Sequence, residues 1–114
     1  MKIYRIESES GIGMYNYRDD LWGRATNDAS TGRQPGPWGD GITDFHDGHH
    51  FGFSSKAQLK RWVHKKKWRQ AMAALGGKVV VLKVPNEHTI RGRSQVVFIK
   101  DYAEKIAEIP VDLI

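Results

Sequence analysis

The sequence contains no cysteine. That absence excludes disulfide frameworks, Cys-ligated zinc, iron–sulfur clusters and thiol nucleophiles together, and leaves chemistry to oxygen and nitrogen groups. Long apolar runs are missing too. The most apolar stretch, around Val79 to Leu82, falls far short of the roughly 20 residues that span a bilayer. The first seven residues, Met1 to Glu7, carry a charge at every second or third position and lack the apolar centre of a signal peptide. The expected location is therefore the cytoplasm of the cell that makes the chain. At 114 residues there is no room for a second core, so the chain reads as one domain, 1–114.

Apolar residues make up 39% and charged residues 27%, which is the balance of a folded chain rather than a disordered one. Acids are scarce where bases are dense. Residues 1–50 hold five basic and eight acidic side chains, net −3, whereas 51–114 hold thirteen and five, net +8, giving the overall +5. Within the second half, Lys56, Lys60, Arg61, Lys65, Lys66, Lys67 and Arg69 follow one another with no acid among them. Such a balance favours contact with polyanions.

Lys2 to Glu7 alternates and predicts a first strand. Ser8 to His50 is rich in Gly, Asp and Asn, has Pro35-Gly36-Pro37 at its centre and holds no sustained period. It reads as a long irregular loop pinned by Tyr15, Tyr17, Trp22, Trp38 and Phe45, with one helical turn near 17–23. His50 to Phe53 suits a short strand. Ser55 with Gln58 three residues later fits a capping box that opens a helix. The apolar stripe Leu59, Trp62, Val63 loses phase across His64 to Lys67 and resumes at Trp68, Ala71, Met72 and Leu75. That pattern predicts two short helices with a bend, stopped by Gly76-Gly77. Lys78 to Val84 reads as a strand ended by Pro85, 86–94 as a turn-rich link, Gln95 to Ile99 as a strand, and 101–104 as a helical turn. A last strand follows at 105–109 or 111–114. The expectation is an α+β fold with a small mixed or antiparallel sheet of four or five strands and two or three short helices.

Three groupings could carry chemistry. In the basic segment 56–75, Lys60, Arg61, Lys65, Lys66, Lys67 and Arg69 could neutralise phosphates while Trp62 and Trp68 stack on bases. The competing reading puts the tryptophans in the core and the lysines on a solvated face. His46, His49 and His50 could ligate a metal, although a polar surface loop explains them as well and no metal site is assigned. Gly11-Ile12-Gly13 lacks the third glycine of a dinucleotide fingerprint, and no serine sits in a nucleophile elbow. The third grouping is Arg5, Ser54, Ser55 and Gln95, which could cradle a phosphate-bearing ligand. Alternatively Arg5 pairs with Glu7 or a loop acid and the serines only cap.

Tyr4-Arg5 on a first strand, Phe51-Gly52-Phe53-Ser54-Ser55 opening a helix, the Gly-Gly stop, the Val-rich strand ending in Pro85 and the strand from Gln95 form an order of motifs. This order is similar to that of small ADP-ribosyltransferase-like folds, and the layout resembles small phage-encoded accessory proteins. The resemblance covers residues 1–7 and 51–98. It implies that Arg5 holds NAD, that Ser54 or Ser55 positions it, and that Gln95 stands where the family has a glutamate that stabilises the ribosyl cation. A neutral amide lacks the charge for that step, so enzymatic activity is in question. Glu7, Asp40 and Asp44 are carboxylates that could stand in.

The resulting expectation is a phage-derived accessory protein with a degenerate transferase-like fold that binds and inhibits a host macromolecule in the host cytoplasm. Its expected partner is a host protein, with nucleic acid as the alternative and no membrane; its cofactor is none or NAD. An active NAD-dependent transferase and a nucleic-acid binder acting through 56–70 are the other two readings.

Overall fold

Ile3 and Ile6 fall on opposite faces of the first strand, and both faces are covered. The computed structural model describes residues 1–15, 18–29, 38–42 and 48–114. Its elements are β1 (Lys2–Glu7), α1 (Leu21–Asp28), β2 (His49–Gly52), α2 (Lys56–Trp62), α3 (Lys66–Ala74), β3 (Lys78–Lys83), β4 (Thr89–Arg91), β5 (Val96–Ile99) and β6 (Glu104–Pro110). All strand pairing is antiparallel, in two three-stranded sheets ordered β1-β3-β6 and β2-β5-β4. The α+β class and the antiparallel pairing hold, with six strands over two sheets.

The β1-β3-β6 sheet lies between two apolar clusters. Ile6 and Val79 join Trp22, Phe53, Leu59, Trp62, Val63, Trp68, Met72 and Val111 on the helical side. Ile3, Val80 and Leu82 join Val84, Val96 and Phe98 from the other side. This position explains the unbroken apolar run of β3, which a strand buried on both faces needs. One bridge connects the sheets: the Tyr4 amide donates to the Phe53 carbonyl at 2.7 Å and the Phe53 amide to the Tyr4 carbonyl at 2.8 Å.

Local chemistry sets the helix ends. Ser55 Oγ accepts from the Gln58 amide at 3.0 Å, and Gln58 Oε1 accepts from the Ser54 amide at 2.7 Å, a reciprocal cap shifted one residue outward from the usual box. Two helices do flank the bend, where Arg69 Nη1 donates to the Val63 carbonyl at 2.6 Å. α3 ends in a Schellman turn: the Gly77 amide donates to Met72 O and the Gly76 amide to Ala73 O, both at 2.9 Å, with Gly76 at φ +82°.

Two stretches depart from expectation. The segment 8–50 is not irregular throughout, because Asp20 caps the eight-residue α1 by accepting from the Gly23 amide at 2.8 Å, and Trp38–Asp40 forms a 3-10 turn. Gly23 inside the helix weakens the helical signal. The link 86–94 contains β4, three residues that pair with β5. The turn expected at 101–104 is a 3-10 turn at Lys100–Tyr102, and β5 starts at Val96 rather than Gln95. Tyr17, Pro35 to Pro37 and Phe45 lie outside the described residues. Among the described residues, no helix is long and apolar enough to cross a membrane.

Candidate functional site

Arg5 is buried, 9% exposed, on the face of β1 that looks toward β2. Its Nε donates to Glu7 Oε2 at 2.8 Å and its Nη1 to the Phe51 carbonyl at 2.8 Å. The arginine thus ties the two sheets together beside the Tyr4 and Phe53 bridge. Of the two sequence readings, the ion pair with Glu7 is the one the geometry displays. Ser54 and Ser55 follow at once in the chain and are engaged by Gln58, Ser54 Oγ donating to its Oε1 at 3.2 Å. Their helix has only seven residues.

Gln95 precedes Val96, which pairs with Gly52, and Arg5 donates to the Phe51 carbonyl, so each is placed beside β2, the strand that leads toward Ser54 and Ser55. The Gln95 amide donates to Asp40 Oδ2 at 3.1 Å. Asp40 is 3% exposed and also accepts from the Ser94 amide at 2.9 and 3.0 Å and from Ser94 Oγ at 2.8 Å. Arg93 reinforces the contact, its amide donating to Asp40 O and its guanidinium to Gly39 O. A carboxylate does stand beside Gln95, but backbone amides and a hydroxyl enclose it. Of the other stand-ins, Glu7 is held by Arg5, and Asp44 lies outside the described residues. The clasp made by Asp40 escaped the sequence reading because its partners lie 54 and 55 residues away.

The basic segment is arranged differently. Trp62 and Trp68 are each 9% exposed and belong to the helical-side core. Trp62 Nε1 donates to the Tyr15 hydroxyl at 3.1 Å, which donates in turn to the Ala29 carbonyl at 2.9 Å; burial raises the Tyr15 pKa. Of the two sequence readings, the one that puts both indoles in the core is the one the geometry displays. Lys56, Lys60, Arg61, Lys65, Lys66 and Lys67 are exposed, and none has an acidic partner among the described residues. Arg69 is half-buried and serves the bend. Lys65 Nζ sits 5.0 Å from the Trp68 ring centroid, and the His64 ring meets the same indole edge-on at 5.1 Å.

His49 and His50 are half-buried on β2, with the His50 ring 6.3 Å from that of Phe98. His46 is outside the described residues, among which no three His, Asp or Glu side chains gather as a metal-binding group.

A two-sheet α+β protein with a run of exposed cations along its second and third helices and a closed Arg5 region is the class these features define. The phage family described as Bacteriophage T4 Y00F protein matches residues 1–112, and the chain belongs to it. The chain is also 36% identical, over 56 residues, to the uncharacterized 19.7 kDa protein in the motB-dexA intergenic region of Enterobacteria phage T4. That match covers 49% of this chain and spans only 33% of the relative's length. No solved structure matches the chain.

Proposed function

We propose that this phage protein is an accessory factor that binds and inhibits a host macromolecule, and that its transferase-like layout is degenerate. The observation that carries this reading is the state of the residues around 51–55. Arg5 is committed to Glu7 and Phe51, the serines are committed to Gln58, and the carboxylate next to Gln95 is enclosed by the amides of Ser94 and Gln95. A transferase site needs an open cation for pyrophosphate and a free carboxylate for the ribosyl cation. Elsewhere, exposed cations with no acidic partner among the described residues run along α2, the bend and the start of α3.

The test is a pull-down from host lysate with the wild-type chain and with a charge-reversed Lys60→Glu, Arg61→Glu, Lys66→Glu, Lys67→Glu variant. The expected result is a host component captured at fixed stoichiometry, of unchanged mass, and lost with the variant. A thermal melt with NAD accompanies it: a ligand that binds the folded state raises Tm, so a rise that Arg5→Met abolishes would overturn the reading.

A further inference from the structure

We infer that the outer face of α2 and α3 is a docking surface for double-stranded nucleic acid, held through phosphate contacts without reading bases. This rests on the binding role proposed above and names the partner's chemistry. The first argument is charge. Residues 48–86 hold no carboxylate at all, so no acid within that run offsets the six exposed cations at 56, 60, 61, 65, 66 and 67. The first turn of α3 holds Lys66 and Lys67 behind Lys65, with no acid and no side-chain cap. Positive charge at a helix start opposes the dipole, and a neighbouring anion relieves it. A polyphosphate backbone supplies anions at a repeat that many cations can meet together.

The second argument separates nucleic acid from protein. Protein interfaces are anchored by large apolar side chains at their centre. Among the described residues the exposed large apolar groups are Leu21, Phe51, Tyr102, Ile106 and Leu113, none of them on α2 or α3. The third argument separates duplex from single strand. Single-strand binding relies on aromatic faces open to bases. Here Trp62 and Trp68 are packed inside, and Lys65 and His64 lie against Trp68. Arg69, bound to Val63 O across the bend, ties α3 to the end of α2, between which the exposed cations follow one another in the chain.

The experiment measures binding of the full chain to a labelled 20-base-pair DNA duplex of arbitrary sequence, across a salt series, against the single strand of equal length. Duplex binding that is indifferent to sequence, tighter than the single strand and steeply weakened by salt is expected. Each phosphate contact contributes roughly 0.9 to the logarithmic salt slope, so Lys65→Gln/Lys66→Gln/Lys67→Gln should flatten it by roughly two to three. Because Lys65 contacts Trp68, Lys60→Gln/Arg61→Gln on α2 provides a second variant, with a slope flattened by roughly one to two. Leu113→Ser should leave duplex affinity unchanged. Absence of duplex binding at low salt, a slope unmoved by both charge variants, preference for the single strand, or loss with Leu113→Ser would each overturn the inference. If nuclease-treated lysate still yields a host protein that the charge-reversed variant loses, the binding role stands and the duplex inference falls.

Discussion

A side chain at Gly92 would occupy the place of the Asp40 carboxylate, so the two residues are fitted to each other across more than fifty positions of sequence. The carboxylate closes the β4 to β5 turn, where the Gly92 amide also donates to Gln95 O at 2.8 Å. Replacing Asp40 by Ala leaves the half-buried Ser94 amide and the buried Gln95 amide without their acceptor. The expected loss is about 2–4 kcal/mol in urea unfolding, since hydrogen bonds to a buried charge are among the stronger ones. Gly92→Ala should cost about 1–3 kcal/mol by overpacking. Because the clash is shared, Asp40→Ala/Gly92→Ala should cost less than the sum of the two single changes.

Arg5 links β1 to β2 through one ion pair and one carbonyl. Arg5→Ala should destabilise by about 2–4 kcal/mol, because it strands Glu7 in a largely buried place. Arg5→Met/Glu7→Gln should recover part of that loss in the same melt. A full loss in the double variant would show that the Phe51 carbonyl contact dominates.

Gly76 combines a left-handed backbone with a close approach by the Glu9 side chain. Gly76→Ala should therefore cost about 1–3 kcal/mol. Adding Glu9→Ala should relieve only the steric part, which urea midpoints of the single and double variants would separate.

Two groups tie stability to pH in the same direction. His50 is held below the ordinary 6.5 first by burial and then by the charges of Arg5 and Lys100. Its neutral form suits the fold, so its contribution is complete above pH 6.5 and is lost as pH falls through the lower folded value. Glu108 is lowered from 4.5 to about 2 by hydrogen bonds from Lys105 and then Lys78. Its contribution is complete above pH 4.5 and fades toward about 2; solvent exposure keeps it small. NMR titration should place the His50 midpoint below 6.5, and Lys105→Met/Lys78→Met should move the Glu108 midpoint back up.

What could be read beforehand was local. Ser55 with Gln58, the phase break at His64 to Lys67, and Gly76-Gly77 each lie within a few residues of the feature they specify. The helix pair and its stop are therefore visible in the sequence. Only one turn of α1 is legible because Gly23 interrupts its pattern, and β4 is not, because three residues flanked by turn signals carry no period. The Asp40 clasp depends on chain closure over 54 residues, which no window contains. The pairing of Arg5 with Glu7, two residues on, is likewise local and visible in the sequence. The Phe51 carbonyl, 46 residues away, was not visible.

Among the described residues, one reciprocal rung of backbone hydrogen bonds, between Tyr4 and Phe53, bridges the two sheets. Amide protons at those two positions should exchange with solvent together, and sooner than those in the interior of β3. Any opening there must also separate Ile3, Val80 and Leu82 from Val96 and Phe98 and release the Arg5 side chain from Phe51 O, so the rung is the visible edge of a larger apolar hinge.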